Sequence, residues 1–587
     1  MPRNKSSSAR PAGEIAPPSN APKSDVAALD EVFAAFNRSD APGLAVAVAH
    51  QGRTLYRKAF GLANLELGVA NTVHTRFRIG STSKHFTCIA ALLLQEEGKL
   101  DIDAPADEVL KELPPLKGMP TLRQFMNHTS GYRCHLDLAS TAAGIAVQPA
   151  GKALAAMVRQ TGVNFAPGDA QLYNNGGYHL LSIAIERVAG MPFEQFLKQR
   201  VFVPLGMHDT DSMPSDLDVI PGMATLYTPR LPAMPPLDAP AWRRAIFLTE
   251  EIRGEGAIVS TVDDMLRWQA HLRAALAGQP RIGSTASWRA LVDKTTLNNG
   301  LISHYGLGLW RHDFRGLEIV HHGGAVLGGA CMMMTVPAQA LDIILITNGA
   351  LLHPNRVAEK VVGTVLSDTV RGPETPQAPA GKHYKHLFGT RYAAERGLVI
   401  GFDEADDKLG ISVNGSPPMP LLRDDADTVR VDFEDIAAGP LVLKKADLSA
   451  RADGTAPKFL PFGECGNVIR LKRLPRKAPA AAALAPALVG HYRSVDLDTD
   501  ARISFGDKQL TMQFQGGYGN LSLTLEPLSD ALLLADEKLT PVGMPKLSLV
   551  VVREAGSLHG FRLNGVRNRD VWFERIQPLA QASAAPT

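Results

Sequence analysis

Three short strings carry residue types able to activate a serine: GSTSK at 80–84, YNN at 173–175 and HHGG at 321–324. They read as Ser-x-x-Lys, Tyr-x-Asn and His-x-Gly. A serine hydroxyl attacks a carbonyl only when a neighbouring base takes its proton, and a partly desolvated lysine serves as that base. Ser81 and Lys84 are spaced to share one face of a helix. In the string FRIGSTSKHFTCIAALLLQEEGKL an extended stretch, Arg76–Ile79, is predicted to run through Gly80 into an apolar helix, with Ser81 at the helix N-terminus. Backbone N–H groups there favour negative charge, which suits the oxyanion formed by attack on a carbonyl. Tyr173 would add a phenol for the second proton and Asn175 a carboxamide for orienting substrate. In His322-Gly323-Gly324, missing side chains would let an edge strand approach a bound substrate.

Each string alone has a plain structural alternative. These are an N-cap serine before a solvated lysine, a loop tyrosine, and strand-end histidines satisfied by backbone. Order, spacing and local context together favour a site. There is no Gly-x-Ser-x-Gly elbow, His-Glu-x-x-His pair, Walker loop or dinucleotide fingerprint, so neither a metal nor another cofactor is implied. His383 and His386, the nearest to a histidine cluster, fall in a Pro/Gly-flanked stretch expected to be a solvated linker.

The stretch from about 25 to about 370 resembles the serine β-lactamase and penicillin-binding-protein superfamily, in particular its class C-like, D-aminopeptidase branch. Connecting strings such as PGLAVAVAHQGRTLYRKAFGLAN (42–64), TLRQFMNHTSGY (121–132) and GEGAIVSTVDDMLRW (254–268) carry the same likeness. The resemblance implies Ser81 as the acylated nucleophile, with acid/base work shared by Lys84 and Tyr173. It puts Asn175 on the substrate amide, His322 in the third motif with Gly324 beside it, and the N–H groups of Ser81 and Ala325 in the oxyanion hole. In the family, an acidic residue on a loop of the last barrel holds the substrate ammonium. Here the matching stretch, ADEKLTPVGMPK (535–546), places Lys538 where that acid is expected, with Asp536 and Glu537 as neighbours. The second departure is GLGLW, ending at Trp310, where the family carries an asparagine.

The elements that must position these groups exceed one core, since 587 residues are more than a single domain holds. The expected architecture is α/β. A β-lactamase/transpeptidase-like catalytic domain, an antiparallel sheet flanked by helices, precedes two small antiparallel β-barrels. The expected boundaries are a disordered tail over 1–24, the catalytic domain over 25–372, barrel B over 373–480 and barrel C over 481–587. The barrels show as a repeat at an offset of about a hundred residues. LFGTRY (387–392) is echoed by LVGHY (488–492), DDKLGISVNG (406–415) by GDKQLTMQFQGG (506–517), and VIRLKRL (468–474) by VWFERI (571–576).

With 61 basic against 59 acidic residues there is no electrostatic lure for nucleic acid. No apolar run approaches the ~20 residues of a membrane span. Four scattered cysteines suggest no disulfide framework and fit a reducing compartment, so the cytoplasm is the expected location. The expected activity is a serine hydrolase working through an acyl-enzyme, an aminopeptidase releasing N-terminal D-residues from small peptides, amides or esters. Alternatives are an esterase or a carboxypeptidase/β-lactamase-like hydrolase and, in a different class, a non-catalytic scaffold. A homodimer is left open.

Overall fold

The run LDIILIT is apolar at almost every position, and so a strand made from it must be covered on both faces. The computed structural model bears this out. It describes residues 23–143, 148–229, 241–246, 249–349, 353–372, 381–405, 408–423, 427–431, 442–516, 519–537 and 545–576, which fall into two compact units.

The first unit comprises the described residues up to Ala104, Tyr178–Thr295 and those from His304 to 372. Its sheet has six antiparallel strands in the order Trp310–Phe314, Leu317–Val326, Gly329–Val336, Leu341–Thr347, Leu44–His50 and Arg53–Phe60. The N-terminal strand thus enters beside the last one, with Leu44 opposite Thr347 and His50 opposite Leu341. Side chains alternate across a strand. Val46, Val48, Ile343, Leu345 and Met334 pack with Leu29, Phe33, Val361 and Val362 on one face. Ala45 and Ala47 turn the other way, where their small size admits the helix Val262–Leu276. From that helix Gln269 donates to the carbonyls of Met334 (2.8 Å) and Ile343 (3.1 Å), and Arg273 grips Asp342. Burying each large aliphatic side chain contributes roughly 1.5–3 kcal/mol. The helix Lys84–Glu96 is buried from Lys84 to Leu94, as an all-round apolar helix must be.

The second unit comprises Pro105–Gly177, Thr296–Ser303 and the described residues from Gly381 onward. Strands between Thr390 and Arg473 form an eight-stranded antiparallel sheet, and its edge strands Val442–Lys444 and Phe459–Glu464 lie against each other, so the barrel is nearly closed. Strands from Gly490–Ser494 to Val571–Ile576 form a closed eight-stranded barrel. The repeat is visible in detail. In each barrel the tyrosine of the first strand pairs with an arginine of the last, Tyr392 with Arg473 and Tyr492 with Arg575. Each tyrosine is fully buried and donates to a backbone carbonyl, of Pro457 (2.9 Å) and of Leu488 (2.6 Å). His386, in the stretch expected to be a linker, bonds the Leu448 carbonyl through Nε2 (2.8 Å). The segment Pro105–Gly177 adds the helices Leu122–Met126, His135–Ala143 and Lys152–Val158; Leu138 of the second enters the hydrophobic core of the closed barrel.

Candidate active site

Strand Phe77–Arg78 pairs with Ile258–Ser260 and then turns at Gly80, whose φ is +52°. A Cβ at Gly80 would lie 2.9 Å from the backbone nitrogen of Ala325, and one at Gly324 would lie 1.8 Å from the carbonyl oxygen of Ile79. The two backbones therefore touch where glycine permits it. This close approach sets Ser81 in a tight 3-10 turn, Gly80–Ser83, with the regular helix starting at Lys84, where the sequence predicts Ser81 itself at the helix N-terminus.

Lys84 is fully buried, and its Nζ donates to Ser81 Oγ (2.9 Å) and to the Glu255 carbonyl (2.8 Å), 5.3 Å from the centre of the Tyr178 ring. The loop bearing Glu255 is fixed from several directions. Thr87 donates to the Gly254 carbonyl (2.8 Å), the Arg253 N–H donates to Glu255 Oε2 (3.2 Å), and His179 Nδ1 meets Oε1 at 3.1 Å. A Cβ at Gly254 would lie 2.8 Å from the Tyr178 carbonyl, so the loop needs this glycine to close on the lysine.

His322 lies on Leu317–Val326, whose outer neighbour ends with Trp310 opposite His321. The sequence predicts an edge strand here; in the sheet Leu317–Val326 is second from the edge, but its outer neighbour pairs with it only as far as His321, and Gly323 and Gly324 pair on the inner side with Met332 and Cys331. His322 Nδ1 lies 2.6 Å from the Gly323 carbonyl, which can only accept, so Nδ1 carries the proton. Nε2 is then the acceptor and takes the hydroxyl of Tyr305 at 3.1 Å. Tyr305 in turn accepts from Tyr178 (3.3 Å), and Tyr178 from Cys88 (3.4 Å). The result is a directional chain of hydroxyls behind a neutral imidazole. Burial, and then the charge of Lys84, hold the His322 pKa well below its ordinary value. Burial first, and then Cys88 and Tyr305, push the Tyr178 phenol up, and burial raises the Cys88 thiol to about 12. Sequence reasoning passed over Tyr178, Tyr305 and Glu255. The available signal was a second tyrosine and a histidine directly after YNNGG, and GEG before the strand at 258–260.

Tyr173 and Asn175 belong to the second unit. Tyr173 is buried, its ring centroid 4.1 Å from that of His128, whose Nδ1 accepts the Asn174 N–H (3.1 Å). Asn174 also donates through its side chain to the Tyr132 carbonyl (2.7 Å). Asn175 opens the helix Asn175–Ala189. Next to it, Gly176 and Gly177 leave room for Met157 and Phe125, which Cβ atoms there would meet at 2.5 and 3.1 Å. Asp536 and Glu537 end the strand Leu532–Glu537, and Lys546 Nζ lies 3.1 Å from Asp536 and 3.4 Å from Glu526. Lys538 and the rest of the 538–544 stretch lie outside the described residues.

Two of the most similar relatives are D-aminopeptidases. That of Brucella anthropi is 25% identical over 573 residues, covering 91% of this chain and 96% of its own. That of Brucella melitensis biotype 2 is 26% identical over 423 residues, covering 67% and 74%. Among solved structures, the octameric penicillin-binding protein homologue from Pyrococcus abyssi superposes with a TM-score of 0.51 at 20% identity, over 75% of this chain and 98% of its own. That likeness speaks for the fold. The family profile described as Beta-lactamase matches residues 29–364, which hold the Ser-x-x-Lys turn, the Tyr-x-Asn string and the His-x-Gly strand, and the chain belongs to this family.

Proposed function

We propose that the chain is a serine hydrolase acting through an acyl-enzyme on Ser81, and that it releases N-terminal D-amino acids from small peptides, amides or esters. The observation that carries the reading is Lys84 Nζ, buried and 2.9 Å from Ser81 Oγ. The likeness to D-aminopeptidases, which runs through both barrels, supports the substrate class.

In this mechanism Lys84 and Tyr173 take the Ser81 proton as Oγ attacks the substrate carbonyl. The N–H groups of Ser81 and Ala325 receive the oxyanion. Tyr173 hands a proton to the leaving amine, and water then attacks the ester by the same route in reverse. Asn175 holds the substrate amide and Gly324 leaves it room. His322 acts as a neutral positioning group, because both ring nitrogens are engaged by Gly323 and Tyr305. The domain limits read from the sequence, 25–372 for the catalytic part and 373–480 and 481–587 for the barrels, are part of this proposal. So is a cytoplasmic location, which the free state of all four cysteines supports. No described helix is long and apolar enough to cross a membrane.

One observation favours a second reading. Asp536, the nearest equivalent of an ammonium-binding acid, is ion-paired to Lys546. Esters or N-blocked substrates suit such a neutralised stem better than a free amine does.

The test is hydrolysis of p-nitroanilides of D-alanine, L-alanine and N-acetyl-D-alanine, with a nitrophenyl ester and a chromogenic cephalosporin alongside. Turnover confined to the D-compound with a free amine, and lost in Ser81→Ala, is expected. Turnover of the ester or cephalosporin alone moves the substrate class to the second reading, and activity that survives in Ser81→Ala overturns the mechanism.

A further inference from the structure

We propose that His179 and Glu255 are positioning residues for Lys84: together they aim the Glu255 carbonyl at the lysine nitrogen that activates Ser81. The inference rests on the roles given to Ser81 and Lys84 above.

A neutral lysine carries two N–H bonds and one lone pair, and it takes the Ser81 proton only with the lone pair turned to Oγ. In the resting contact Nζ donates to Ser81 Oγ at 2.9 Å, so this contact must reverse as the serine is activated. The Glu255 carbonyl, 2.8 Å from Nζ, can only accept. It therefore keeps hold of an N–H in both protonation states and limits how the amine can rotate. The direction of that carbonyl is set by the side chain of the same residue. The Glu255 carboxylate turns back on its own loop, where Oε2 accepts the Arg253 N–H (3.2 Å), while Oε1 lies 3.1 Å from His179 Nδ1. A carboxylate accepts, so Nδ1 carries the proton. On the other side of the ring, Glu251 Oε1 lies 3.9 Å from Nε2.

Closing the loop does not by itself call for this pair. The His179 and Glu255 side chains are at most 1% exposed, and apolar side chains of similar volume often stabilise a buried position better than an ionisable pair does. What hydrogen bonds add is direction. The rest of the loop is tied down without them. The Arg253 carbonyl accepts the N–H groups of Gly256 (3.0 Å) and Ala257 (2.9 Å), the Ile252 N–H donates to the Pro214 carbonyl (2.8 Å), and the Ile258 N–H donates to Ser83 Oγ (3.1 Å). The Arg253 guanidinium pairs with Glu186, which lies two turns along the helix Asn175–Ala189 from His179. One face of this helix thus grips the loop at two points, Glu186 through Arg253 and His179 through Glu255. The second grip acts on the residue whose carbonyl meets Lys84. Neither His179 nor the Glu255 carboxylate touches the substrate in this proposal; their effect on the reaction is exerted through Lys84.

The experiment is the rate at which an alkyl fluorophosphonate labels Ser81 in the full chain, read by mass at the Ser81 peptide, with Tm measured in parallel. In this reaction Oγ bonds phosphorus, the P–F bond breaks, fluoride leaves and the serine proton passes to Lys84. The rate therefore reports the activation of Ser81 whatever substrate the enzyme prefers. Lys84→Ala should slow labelling at least ~100-fold, as general acid–base groups contribute. His179→Leu should slow it roughly 10- to 100-fold, the upper figure being the effect of about 1 Å of misplacement. His179→Asn, whose amide N–H can replace Nδ1–H, should restore most of the rate. The double variant His179→Leu/Glu255→Leu removes both buried polar groups and should keep Tm, yet label as slowly as His179→Leu. Labelling at the unaltered rate in the folded double variant, or equal losses in His179→Asn and His179→Leu, overturns the inference and leaves the role of Lys84 standing. Unaltered labelling in Lys84→Ala overturns both.

Discussion

The Ser81 region and the Tyr173 region are each closed by distant chain, but by different kinds of contact: glycine-permitted backbone packing with Gly324 and Ala325 at the first, and side-chain bonds with the C-terminal barrel at the second. Ser81 and Lys84 meet across three residues of one turn, and the turn is shaped by two glycines and backbone contacts. Arg133, in the segment that leads to Tyr173, is fastened by groups 363 to 437 residues away along the chain, from the Asp496 carboxylate to the Asp570 carbonyl. Ser81 and Lys84 thus meet within one turn that the first unit's own strand closes, while the segment carrying Tyr173 depends on the last barrel. The two halves should therefore fail separately.

The largest separation should come from Asp496→Ala, which leaves the Arg133 cation buried and unpaired. The expected cost is about 3–5 kcal/mol. Limited proteolysis should open 105–177 and 481–587 before the first unit, and simultaneous cleavage of both units would erase the distinction drawn here. Gly324→Ala attacks the other half, because its Cβ falls 1.8 Å from the Ile79 carbonyl oxygen. The strand must shift, and kcat/KM should fall roughly 100-fold, the effect of about 1 Å of misplacement at a reacting centre. A variant with unaltered kinetics would show that the approach of the two backbones is not needed.

A smaller effect, readable by pH, concerns His85, stacked 5.0 Å from Trp268 and held neutral by burial with a pKa of about 3. The unfolded chain, with an ordinary histidine pKa near 6.5, binds the proton first as pH falls. Stability contributed by the neutral ring is therefore present above pH ~6.5 and is lost progressively from there toward pH 3. At pH 5 the loss is about 2 kcal/mol, and His85→Leu should flatten the slope of Tm between pH 7 and pH 5. Smallest is Tyr305→Phe, which removes one donor from His322 and should cost about 1 kcal/mol in kcat/KM, near fivefold, with little change in Tm. A loss near that of Ser81→Ala would mean that His322 does more than position.

What was readable in the sequence follows the same divide. Ser81 and Lys84 could be placed between strand and helix because strand, glycine and apolar helix are contiguous in one string; the 3-10 turn itself could not, since Gly324 and Ala325, which close it, lie far along the chain. The barrel repeat was readable because Tyr392 and Tyr492 recur with the same partners on the last strand. Tyr178 and Tyr305 were not, since a tyrosine in an apolar run reads as core until its hydroxyl is seen to bond another side chain. Nor does any composition shift between 25 and 372 announce that 105–177 groups with the barrels. The residues that tie it there, Val566-Arg567-Asn568-Arg569-Asp570, have the composition of a solvated turn. Long-range pairing of this kind leaves no periodicity to read.

The buried Arg133–Asp496 pair also orders events during synthesis. At ~5–20 residues per second, the 363 residues between its members take roughly 20 to 70 s to be made. Gly324 and Ala325, which close the Ser81 turn, emerge within that interval, so the chain can complete that turn before Asp496 is there to lock the segment that carries Tyr173. The C-terminal barrel thus sets the last of these steps, the fastening of the segment that carries Tyr173.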